Sequence, residues 1–141
     1  MANAAPERPR LLQTVLDTTD VRSLAEFYRE LLGLVYREGD EPPGAAQPDD
    51  ADWLVLTDSA GARTLAFQQV EELPRSTWPR PDVPQQLHID MTVPDRATLD
   101  LQRDRAVALG AELRLDRSDD PGEPLYALAD PAGHTFCIFV R

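Results

Sequence analysis

One order of elements, strand–helix–strand–strand–strand, reads twice along this chain, with its landmarks about 75 residues apart. Thr19-Asp20 answers to Pro94-Asp95, Gly33 to Gly110, Asp58-x-x-Gly61 to Asp130-x-x-Gly133, and Phe67-Gln68 to Phe136-Cys137. A repeat of this length is a supersecondary unit that cannot bury the apolar face of its sheet alone. Two units must therefore share a core. The expected fold is α+β: two βαβββ modules forming a cupped eight-stranded mixed sheet, with helices on one face and a cavity on the other.

The elements follow from local chemistry. Leu11 to Thr18 reads as a strand, and Asp20 as the N-cap of a helix whose Val21, Leu24, Phe27, Tyr28, Leu31 and Leu32 share one face. Gly33 ends it. Strands are expected at Leu34–Arg37, Trp53–Asp58 and Thr64–Val70. Between the first two, Glu38 to Asp52 carries Pro42-Pro43-Gly44 and many acids, and reads as a mobile, solvated loop. In the second half Leu87–Val93 alternates as a half-buried strand. Pro94-Asp95 opens a helix running to about Leu109, with a weaker apolar face. Strands follow at Glu112–Leu115, Leu125–Ala129 and Thr135–Val140. The organisation is then a disordered tail at 1–10, modules at 11–70 and 86–141, and a proline-rich linker at 71–85 built around Trp78.

Charge and composition exclude several functions. With 25 acidic and 14 basic side chains, the formal charge is -11, which argues against a nucleic-acid partner. Every basic residue is arginine, so lysine Schiff-base chemistry, pyridoxal phosphate attachment and the lysine-bearing phosphate loop are all excluded. Arginine-only, alanine-rich usage also points to a GC-rich bacterial genome. The single Cys137 excludes an internal disulfide. Met1 to Arg10 does not read as a signal peptide, and no apolar run is long enough to span a bilayer. The expected compartment is the cytoplasm.

LLQTVLDTTDVRSLAEFYRELLGL resembles the opening of a module of the vicinal oxygen chelate superfamily, the glyoxalase and bleomycin-resistance proteins. LHIDMTV, a helix ending ALGAE, and DPAGHTFCIF are similar to that superfamily's second module. The likeness runs from about Leu11 to Val140. It implies a cup that in the superfamily's enzymes holds one divalent metal, with ligands from the opening and closing strand of each module. The matching positions here are Gln13, Gln68, His88 and Cys137. The closing positions are usually glutamate in those enzymes, and here neither is.

A hard cation wants charged oxygen, which this set does not offer. The functional expectation is therefore a glyoxalase-like protein that binds a small organic molecule in the cup without the usual metal set. Two alternatives stay open. One is a lyase, isomerase or dioxygenase using zinc, nickel, manganese or iron at Gln13, Gln68, His88 and Cys137. The other is a drug-sequestering protein whose acidic loop attracts a cation. The resemblance also implies a homodimer.

The candidate cavity set is Gln13, Trp53, Gln68, His88, Asp90, Tyr126 and Cys137. His88 is the candidate acid–base residue, because imidazole titrates near neutrality. Asp90 shares its strand face and could orient it or pair with an arginine. Cys137 is a small buried hydrophobe or, with His88, a nucleophilic pair. Tyr28 and Phe67 are read as core aromatics. Trp78 is expected to cover the cup or an interface. His134, in the turn, is expected in solvent.

Overall fold

The computed structural model describes residues 3–141. Residues 1 and 2 of the expected tail lie outside the described residues, and 3–10 form no helix or strand. The first module comprises β1 (Thr14–Thr18), α1 (Val21–Leu32), β2 (Val35–Tyr36), β3 (Trp53–Thr57) and β4 (Arg63–Gln69). The second comprises β5 (His88–Val93), α2 (Arg96–Ala108), β6 (Glu112–Arg117), β7 (Leu125–Ala129) and β8 (Thr135–Val140). The duplicated order is therefore real.

One expectation is refined. The eight strands form two four-stranded sheets, β1-β4-β3-β2 and β5-β8-β7-β6, with no strand pairing between them among the described residues. In each sheet the opening strand runs parallel to the closing strand, and the remaining neighbours are antiparallel.

Both helices start as their N-caps dictate. Asp20 accepts from the Ser23 amide at 3.2 Å, and Asp95 from the Thr98 amide at 2.8 Å, satisfying amides that have no partner inside the helix. At the end of α1, Gly33 has φ 69°, a left-handed conformation that a β-carbon would strain. α1 buries Val21, Leu24, Ala25, Phe27, Tyr28 and Leu31, whereas α2 buries only Leu99 and Ala106.

One core serves both modules. The Tyr28 ring lies 6.0 Å from Phe67 of the first sheet and 6.3 Å from Phe136 of the second, and Phe27 lies 5.8 Å from Phe136. Helix α1 thus packs on both sheets at once. Aromatic centroids at these separations add to the gain from burial itself. The Arg105 guanidinium of α2 donates to the backbone carbonyls of Leu31, at 3.2 Å, and of Glu30, tying the two helices together.

The acidic stretch is held at several points. Arg22 of α1 pairs with Asp49 at 2.7 Å and donates to the Asp40 carbonyl at 2.7 Å. The Asp40 carboxylate accepts from the Val55 amide at 2.9 Å. A mobile, solvated loop was expected from the prolines, the glycine and the run of like-charged acids, which repel one another. Arg22 comes from another element and offsets part of that repulsion.

Candidate functional site

In a strand, alternate residues face opposite sides. In the first sheet, the row Leu16–Phe67–Leu54 faces α1 and is buried. The rows Val15–Ala66–Val55 and Asp17–Gln68–Trp53 face the other way. In the second sheet Ile89 and Met91 pack toward the core, while His88, Asp90 and Thr92 are exposed on the open face.

The Asp17–Gln68–Trp53 row forms part of the wall of a cavity of about 390 Å³. Leu73, Pro74 and Pro84–Leu87 of the linker supply a second wall, and Ala132–Thr135, from the β7–β8 turn into β8, a third. The volume lies within the range of small-molecule sites. Linker and turn meet closely. Arg75 donates to the Pro131 carbonyl at 2.7 Å, and a β-carbon on Gly133 (φ 96°) would sit 3.1 Å from the Arg75 β-carbon. The proline-rich segment, expected as a linker whose Trp78 covers the cup or an interface, is therefore structural wall, and it is Leu73, Pro74 and Pro84–Leu87 rather than Trp78 that line the cavity. Among the described residues no arginine lines the cavity.

Two expected site residues, Trp53 and Gln68, line this cavity. Five do not. The Gln13 side-chain oxygen accepts from Arg63 Nε at 2.7 Å. His88 and Asp90 lie on the open face of the second sheet, Nε2 to Oδ1 3.5 Å, with side chains 46% and 54% exposed. A pair so exposed fixes little. Cys137 stands level with Asp90 in the next strand. Its thiol pKa is pushed up by burial and further by the Asp90 charge, the opposite of an activated nucleophile.

Tyr126 is the clearest correction. It shares a row with Met91 and Ile138, one residue out of phase with Cys137, and so faces α2. There it is 2% exposed, its hydroxyl accepting from Arg103 at 2.7 Å and donating to Asp100 at 2.7 Å.

Register also corrects the correspondence between repeats. Each opening strand enters its helix through the N-cap aspartate, which makes Gln13 the counterpart of His88 and Val15 that of Asp90. Asp90 pairs with Cys137, and Val15 pairs with Ala66. The counterpart of Cys137 is therefore Ala66, not Gln68, which sits two residues further along and level with Asp17. The likeness of Phe67-Gln68 to Phe136-Cys137 is local and out of register. An alanine offers no side-chain donor, Gln13 is engaged by Arg63, and the Cys137 thiol resists ionisation. Among the described residues no three His, Cys, Asp or Glu side chains are grouped to hold a metal. The residues present do not fit the superfamily's divalent ion.

His134 is the residue that sequence reasoning misplaced. Its side chain is only 15% exposed, it lines the cavity, and its Nδ1 lies 3.0 Å from the Asp130 carboxylate. Asp130 is fully buried and also accepts from the Tyr28 hydroxyl at 2.6 Å, the Ala132 amide at 2.9 Å and the His134 amide at 3.0 Å. Burial pushes the Tyr28 pKa well above its ordinary value, with the Asp130 charge adding to it, so the phenol is held as a donor. The missed signal is the D-x-x-x-H spacing of Asp130 and His134 across a glycine turn.

Paired βαβββ modules with an open face and a walled cavity define the vicinal oxygen chelate class of fold. The family model described as a glyoxalase-like domain matches residues 13–139, and the chain belongs to that family.

Solved structures agree on the fold. A glyoxalase/bleomycin resistance protein/dioxygenase family enzyme from Burkholderia phytofirmans PsJN superposes with a TM-score of 0.67 at 17% identity, over 92% of this chain and 96% of that one. A fosfomycin resistance protein from Mesorhizobium loti gives 0.63 at 14% identity, over 96% and 94% of the two chains. Lactoylglutathione lyase from Agrobacterium tumefaciens gives 0.58 at 18%, over 96% of each. No curated protein matches the chain. The names of these structures span different activities, and a shared fold does not choose among them. No helix among the described residues is long and apolar enough to cross a membrane.

Proposed function

We propose that this glyoxalase-like protein binds a small organic molecule without a metal, in the cavity between the first sheet, the linker and the Ala132–Thr135 segment. The supporting observation is the cavity itself: about 390 Å³, with Trp53, Leu73, Leu87 and prolines offering apolar surface and Asp17, Gln68, Gln85 and His134 interspersed. An apolar enclosure with a few polar groups is what a ligand pocket requires. The divalent-metal alternative loses support because its donor set is incomplete. Sequestration needs nothing beyond this cavity, and the acidic charge of the chain suits a cationic guest. The family likeness also implies a second copy of the chain as partner.

The test is a fragment screen by thermal shift, followed by calorimetry with and without chelator. Binders should keep their affinity in chelator. They should lose roughly tenfold in Trp53→Ala, the equivalent of one well-packed aromatic contact. Affinity that vanishes with chelator, or that ignores Trp53→Ala, would overturn the reading.

A further inference from the structure

The geometry points to a selective site: the cavity takes molecules that present hydrogen-bond donors, hydroxyl or amine, beside an apolar body, and disfavours carboxylates. This rests on the cavity reading above and adds the class of ligand.

Two polar groups carry the inference. The first is Gln85 of the linker. It lines the cavity, and its Oε1 is buried without a hydrogen-bond partner. A buried acceptor left unpaired is costly, and a turn of the amide toward the cavity would let a ligand donor remove that cost. The second is His134. The Asp130 carboxylate already accepts from two backbone amides and the Tyr28 hydroxyl, so it acts as an acceptor toward Nδ1 and places the proton there. In the neutral imidazole the other ring nitrogen, Nε2, then carries a lone pair on the side of the ring away from Asp130, in a residue that lines the cavity. Tyr28 and Asp130 are positioning residues: they set the tautomer and the ring, and Asp130 is shielded from any ligand by its complete burial.

The remaining groups reinforce the choice. Asp17 adds a carboxylate on the same wall, and among the described residues no arginine lines the space to meet an anion. Gln68 and Gln86 have amides that can turn to either role, so they do not set the preference. Ser76 does not supply a free donor either, because its hydroxyl already donates to the Val83 carbonyl at 3.1 Å and accepts from the Trp78 amide at 3.2 Å.

A matched probe series tests this: 2-phenylethanol, 2-phenylethylamine, phenylacetate and ethylbenzene, titrated into the intact protein by ligand-observed NMR. The alcohol and the amine should bind roughly tenfold more tightly than phenylacetate and ethylbenzene, about the value of one well-made hydrogen bond to a desolvated acceptor. His134→Asn keeps a group able to donate to Asp130 but removes the ring lone pair, and should shrink that preference to about twofold or less. Gln85→Leu should shrink it independently, from a linker position that carries no core packing. Binding of all four probes with equal affinity, or a preference unchanged in both variants, overturns the selectivity while leaving the cavity reading intact. Silence of all four probes overturns both.

Discussion

Asp130→Ala should lower the unfolding free energy by about 3–5 kcal/mol, the range found when one member of a buried polar network is removed. The carboxylate is fully buried and serves four donors: the Tyr28 hydroxyl, two backbone amides and His134 Nδ1. Alanine leaves all of them without that acceptor, and the Tyr28 hydroxyl is fully buried. It also cuts a side-chain bridge between α1 and the β7–β8 turn that walls the cavity. Urea unfolding followed by circular dichroism measures the change. A loss below about 1 kcal/mol, the scale of ordinary surface substitutions, would show that the network contributes little.

Phe136→Ala should cost a similar amount, about 3–5 kcal/mol, for a different reason. Phe136 is fully buried, and its ring faces Phe27 at 5.8 Å and Tyr28 at 6.3 Å, both on the helix of the other module. Removing it opens a void where the repeats join, and close-packed interiors collapse only partly around such a void. Leu101→Ala in α2 is the control. Leu101 is 62% exposed, so its loss should stay within about 0.5 kcal/mol. If the modules share one core, Phe136→Ala moves a single unfolding transition. A variant that unfolds in two separated steps would mean that each module is stable alone.

The duplication and nearly all the elements were legible in the sequence because they rest on local chemistry. Asp20 and Asp95 cap helices by reaching amides three residues on, and Gly33 accepts a left-handed backbone. Alternation marked Leu87–Val93 as half-buried, and the strand runs His88–Val93. The weaker helix α2 was legible as weak, since Leu101 points outward while only Leu99 and Ala106 are buried.

The site was legible only in part, because it depends on register and on distant segments. Alternation shows that Tyr126 and Ala127 face opposite sides, but not which side is the core; pairing with Ile138 and Cys137 decides that. Gln68 resembled Cys137 through a preceding phenylalanine, yet strand pairing sets Ala66 in that place. Gln85 and His134 lie far apart in the chain and are brought together by the path of the linker. That path is held by Arg75 and by the room at Gly133, neither of which shows in a pattern of apolar residues.

The account stands on where a ligand sits. Backbone amide shifts of the isotope-labelled protein, recorded as a bound fragment is titrated in, test this most directly. The largest shifts should fall on Asp17, Trp53, Gln68, Gln85 and His134. Shifts confined to His88, Asp90 and Cys137, with the linker unmoved, would contradict it and move the site to the open face of the second sheet.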